Sequence, residues 1–79
     1  MNSNRRSQLK AAQALVKKVH GIVDGVKDKE QQSYDNLPRA LQASPAGYAI
    51  EEVLEALEVA AGAITELADA LEAVVGSPA

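Results

Sequence analysis

Two long segments of the chain place apolar residues at alternating steps of three and four, the spacing of one face of an α-helix. In residues 4–34 the stripe is Leu9, Ala12, Val16, Val19, Val23 and Val26, flanked by Leu15 and Ile22. In residues 45–75 it is Ile50, Val53, Leu57, Ala60, Ile64, Leu67, Leu71 and Val74. Both follow a heptad, the repeat that lets two helices lie along each other. The second segment is apolar beside its stripe as well. Ala49, Ala56, Ala63 and Ala70 recur on one flank, and Leu54, Ala61, Ala68 and Val75 on the other. Glu51, Glu52, Glu55, Glu58, Glu66, Asp69 and Glu72 fill the remaining face. One neighbouring helix cannot cover an apolar surface four positions wide per heptad.

The connection reads as a turn. Asp35 and Asn36 bond nearby backbone through their side chains and compete with helix. Pro38 has no N–H to give and pushes Leu37 toward extended geometry, which ends the first helix near Tyr34 or Asp35. Pro38 to Leu41 suits a single tight turn. Ser44 followed by Pro45 is a helix start, with Ser44 expected to accept from the orphan N–H groups. Gly47 stands where a capping box would carry Glu. Gly76 is a C-terminal cap before a short tail, 76–79, and residues 1–4 are expected to fray.

The fold class this predicts is all-α. It is an antiparallel hairpin of two long helices, about 4–34 and 45–75, joined by a turn at 35–44. The whole chain, 1–79, is one domain. Each helix is about 31 residues and roughly 46 Å long. In opposite directions Val26 meets Val53, Val23 meets Leu57, Val19 meets Ala60 and Val16 meets Ile64. The apolar flank left over, with Ala49, Ala56, Ala63 and Ala70, calls for further helices. A homodimeric four-helix bundle or a higher oligomer is therefore expected.

Charge sharpens this picture. All 8 basic residues lie in 1–39 beside four acidic ones, a balance of +4. Residues 40–79 hold the other seven of the 11 acidic residues and no basic one, a balance of −7, which restores the net −3. Helices of opposite sign attract in an antiparallel pair, with Arg5, Arg6 and Lys10 expected near Glu66, Asp69 and Glu72. Gly21 and Gly25 weaken the first helix by roughly 1 kcal/mol each relative to Ala and fall off its stripe.

Candidate chemistry is sparse. There is no cysteine, which removes disulfides and thiolate chemistry. His20 is the single histidine, with Asp24 one turn on as a possible partner. The acidic residues follow no Glu-x-x-His pattern and lie on the polar face, so neither metal nor other cofactor is expected. Ser33, Ser44 and Thr65 have no base at helical spacing, and no phosphate loop or nucleophile elbow is present, so the chain reads as no enzyme. Arg5, Arg6, Lys10, Lys17 and Lys18 form a possible anion site for nucleic acid or a nucleotide across an oligomer, although no aromatic is interleaved with them. No apolar run approaches a membrane span and no leader peptide is evident, so the expected location is the cytoplasm.

The segment from Glu30 to Ser44, with Glu30, Gln31, Tyr34, Asp35, Asn36, Pro38, Leu41 and Gln42, resembles the signature turn of small helical-hairpin proteins encoded by phages and prophages. The likeness extends over most of the chain, through a basic first helix and an acidic heptad helix. Pro45 and Ala46 stand where a charged pair is common. The resemblance implies an accessory protein in the host cytoplasm that binds and inhibits a host defence factor. On this reading the turn tip, Tyr34, Asp35, Asn36, Leu37, Arg39, Gln42 and Tyr48, is the candidate contact surface. A scaffold or spacer role is the remaining reading.

Overall fold

The structure is a computed structural model, and it describes residues 1–78. Two long helices, α1 (Ser3–Asp35) and α3 (Pro45–Val75), are joined through a single-turn helix, α2 (Arg39–Gln42). Helices α1 and α3 pack along each other. Three contacts fix their opposite directions: Arg6 reaches the Val75 carbonyl, Lys27 reaches Glu58, and Tyr34 reaches Glu51. The result is a rod measuring 58 × 15 × 13 Å between α-carbons.

The helix ends follow from local chemistry. Asn2 caps α1, its Oδ1 accepting from the Arg5 N–H at 2.8 Å, so the helix begins at Ser3 where fraying was expected. At the other end the Asn36 N–H donates to the Gln32 carbonyl at 2.9 Å, and that of Leu37 to Tyr34 at 3.1 Å. Pro38 then starts α2, its carbonyl accepting from Leu41 at 2.8 Å and Gln42 at 3.1 Å. Pro45 occupies the first turn of α3, as its preset φ favours. Ser44, however, makes no side-chain cap. Its hydroxyl donates backward to the Leu41 carbonyl, because the tight α2 turn presents that oxygen first. Gly76 closes α3 with an N–H to the Glu72 carbonyl at 2.8 Å.

The seam between the helices is rotated from the stripe the sequence suggests. In α1 the partly covered residues include Leu9, Gln13, Val16, His20, Val23, Lys27, Glu30 and Tyr34. In α3 they are Gly47, Ile50, Leu54, Leu57, Ala60, Ala61, Ile64, Ala68, Leu71 and Val75. Nine of the fourteen residues of the expected stripe are therefore partly covered: Leu9, Ala12, Val16, Val23, Ile50, Leu57, Ala60, Ile64 and Leu71. Val19, Val26, Val53, Leu67 and Val74 are exposed, and Leu54, Ala61, Ala68 and Val75, expected as a flank, occupy the seam instead. The physical reason is that long polar residues can share a seam by laying their stems along it and keeping their heads in water. Gln13 and Lys27 do this on α1, His20 shares the seam through its ring, and small residues such as Ala68 on α3 leave them room.

Among the described residues no hydrophobic side chain is fully buried, and Gly47 is the sole residue classed as buried. Two helices have only one mutual seam, so every seam residue keeps an edge in water.

Candidate protein-interaction surface

The seam divides the rod into two unlike sides. Residues that follow Ile50, Leu57, Ile64 and Leu71 by one position are Glu51, Glu58, Thr65 and Glu72. Those that follow Leu9, Val16 and Val23 are Lys10, Lys17 and Asp24. Antiparallel helices bring equivalent heptad positions to the same side, so these polar residues share one flank. The contacts agree. The Lys27–Glu58 pair lies there, and the Tyr34 hydroxyl donates to Glu51 Oε1 at 2.8 Å. A groove of about 360 Å³ on this flank is lined by Gln13, Lys17, His20, Ile64, Thr65, Ala68 and Glu72.

The other side is apolar. It carries Leu15, Val19, Ile22 and Val26 from α1 and Val53, Leu67 and Val74 from α3, each between 43% and 65% exposed. Ala56, Ala60, Ala63 and Ala70 lie between the larger α3 residues at the same spacing. A continuous apolar surface of this extent marks an interaction site. The expected oligomer flank Ala49, Ala56, Ala63 and Ala70 is exposed and belongs to this side.

At the turn, the candidate contact residues divide into two groups. Four build the corner. Gln42 Nε2 donates to the carbonyls of Tyr34 at 3.2 Å and Leu37 at 3.3 Å, tying α2 to the end of α1. Asn36 supplies the cap of α1, and Leu37 is half-buried beneath it. The Tyr34 phenol bridges to α3. Its pKa is raised, first because the hydroxyl donates to Glu51 and then by desolvation. The second group faces outward. Arg39 and Tyr48 are exposed, with the exposed apolar Leu41 beside them. Asp35 is exposed and accepts from Gln31 Nε2 at 3.0 Å.

The basic set does not form one patch. The Arg6 guanidinium donates to the carbonyls of Val75 and Ser77, the latter at 3.0 Å, and so ties the start of α1 to the end of α3. Lys10 and Lys17 lie on the polar flank, Lys18 on the outer surface of α1, and Arg5 on the opposite flank from Lys10. Ion pairs formed across and along the helices include Lys27–Glu58 and His20–Asp24, the latter at 3.3 Å with both side chains nearly half exposed. Glu58 raises the Lys27 pKa, chiefly by accepting its hydrogen bond.

Gly47, which the sequence marked only as a gap in the capping box, has a packing role. A β-carbon there would stand 2.6 Å from the Gln42 carbonyl carbon and 2.8 Å from its α-carbon. The first turn of α3 therefore passes against the backbone of α2, which holds the tip rigidly on the rod. At Gly21 and Gly25, among the described residues, no atom beyond the helix's own adjoining backbone comes within 4 Å of such an atom.

Among the described residues no three His, Cys, Asp or Glu side chains gather closely enough to hold a metal, and no helix is long and apolar enough to cross a membrane. No protein-family model, curated protein or solved structure matches this chain.

Proposed function

We propose that the chain is a non-catalytic protein-interaction module that associates with itself through its apolar side and presents its turn to a foreign protein. One observation carries this reading. Seven large aliphatic residues share one side of a rod in which, among the described residues, no hydrophobic side chain is fully buried. Such a hairpin gains too little from its own seam to offset chain entropy, so covering that side is a condition of folding. An always-present partner is another copy.

The turn supports the second half of the reading. Gln42, Asn36 and Gly47 fix the backbone there, while Arg39, Leu41 and Tyr48 remain outside. Exposed aromatic and arginine side chains on a rigid corner suit a protein contact. The likeness of this turn to those of phage and prophage hairpin proteins supports a more specific form: an accessory protein of the host cytoplasm that binds and inhibits a host defence factor. The test is plaque formation on bacterial strains that each carry one defence system and express the chain. Restored plating by the native chain, lost in an Arg39→Ala, Tyr48→Ala double variant of unchanged helicity, supports the proposal. Unchanged plating on every strain contradicts the inhibitory form.

A further inference from the structure

We infer that the second copy covers the apolar side with its two-fold axis along the rod, α1 of each copy lying on α3 of the other and both turn tips at one end. This rests on the self-association proposed above and adds the arrangement and its consequence.

The area fits a second copy. A compact protein of 8.3 kDa exposes about 4,600 Å². This chain exposes 5697 Å², an excess of roughly 1,100 Å². Obligate homodimer interfaces cover about 1,000 Å² or more on each partner, so one copy is of the right size to account for the excess.

Charge and shape select the arrangement. Helix α1 carries seven basic and four acidic residues, a balance of +3, whereas α3 carries seven acidic residues and no basic one. Two faces meeting about an axis across the rod would set α3 beside α3, both strongly acidic, and α1 beside α1. An axis along the rod sets each α1, of net positive charge, on the partner's acidic α3, and that complementarity favours this pairing over like beside like. Size agrees. In the middle of the rod the exposed side of α1 carries the large residues Val19 and Ile22, whereas Ala60 and Ala63 stand at their level on α3. Large residues seat against small ones, as interdigitated packing requires. In the crossed arrangement large would meet large on α1 and small would meet small on α3.

The consequence is functional. With both tips at one end, Arg39, Leu41 and Tyr48 of one copy stand beside the same residues of the other. The surface offered to a foreign protein is then a double one, symmetric and twice as wide as a single turn.

Because the chain contains no cysteine, one introduced thiol labels one place. Light scattering first gives the mass of the native chain. Pulsed electron-spin distances then separate the arrangements for Arg39→Cys at the tip, with Gly21→Cys at mid-rod as reference. Tips together give an Arg39 label pair at roughly 20–30 Å, since neighbouring helix axes lie about 8–10 Å apart. Opposed tips give a separation near the 58 Å length of the rod. A dimer mass with the short distance supports the inference. A dimer mass with the long distance overturns the arrangement and leaves self-association standing. A monomer mass overturns both. As a second readout, mixed Ile22→Cys and Ala63→Cys chains, whose positions lie at one level of the rod, should oxidise to the heterodimer in preference to either homodimer, and the opposite preference counts against the inference.

Discussion

Gly47, in the first turn of α3, lies against the backbone of Gln42, the last residue of α2, so closely that a β-carbon would overlap the Gln42 carbonyl. Backbone cannot swing aside as a flexible side chain can. Gly47→Ala should therefore force α2 off the rod and cost about 1–3 kcal/mol, the range for overpacking. For a chain this short each kcal/mol lowers the melting temperature by about 4–8 °C. A thermal melt followed by circular dichroism checks this. A variant as stable as the parent would mean that α2 does not rest where it is described.

Gly21→Ala and Gly25→Ala should do the reverse. Open space surrounds both positions, so the added methyl meets nothing in the hairpin. Each substitution should stabilise by up to about 1 kcal/mol through helix propensity alone. Loss of stability at Gly25 but not Gly21, read in the same melts, would place a close neighbour against Gly25 in the assembled protein.

The phase of the seam is open to substitution. Leu54 and Leu57 lie in it, while Val59 is 74% exposed on the outer surface of α3. A carboxylate in a seam must be desolvated or must open the packing. Leu54→Asp and Leu57→Asp should abolish the helical signal at ambient temperature. Val59→Asp should keep it, with a stability change within about 0.5 kcal/mol. Equal damage from Val59→Asp would show that the outer surface is also covered.

Alkaline pH should loosen the hairpin. The folded pKa values of Tyr34 and Lys27 are both raised, by hydrogen bonds to Glu51 and Glu58 respectively. A raised folded value means stability that is fully present below the ordinary value and lost as pH rises through the folded one. Urea midpoints should hold up to the ordinary tyrosine value of 10.0 and fall beyond it. Tyr34→Phe and Lys27→Met should each make that fall shallower. An unchanged fall in both would mean that neither contact persists in solution.

Much of this fold is legible in the residues. Pro38 and Pro45 mark the corner, the equal helical segments give the hairpin, and the ends of α1 and α3 fall within about a residue of where caps and prolines place them. The rotation of the seam is not legible, because periodicity favours the stripe with the most aliphatic residues. In α1 that stripe includes Val19 and Val26, which face outward, whereas Gln13 and Lys27 share the seam through their methylene stems and His20 through its ring. The sequence pattern thus mixes two surfaces, the one facing α3 and the one left exposed. The tip was marked by its turn residues, but which of them build and which remain available depends on hydrogen bonds such as Gln42 to Tyr34. Gly47 looked like a weakened cap because its role lies in a backbone 5 residues away in sequence and touching in space.

The most direct measurement is the mass of the native chain in solution by multi-angle light scattering, with helicity recorded on the same sample. The expected result is a helical species of at least twice the 8.3 kDa chain mass. A fully helical, cooperatively melting species at 8.3 kDa would contradict the central claim, for it would mean that a rod with one side of bare Leu, Ile and Val stands alone in water.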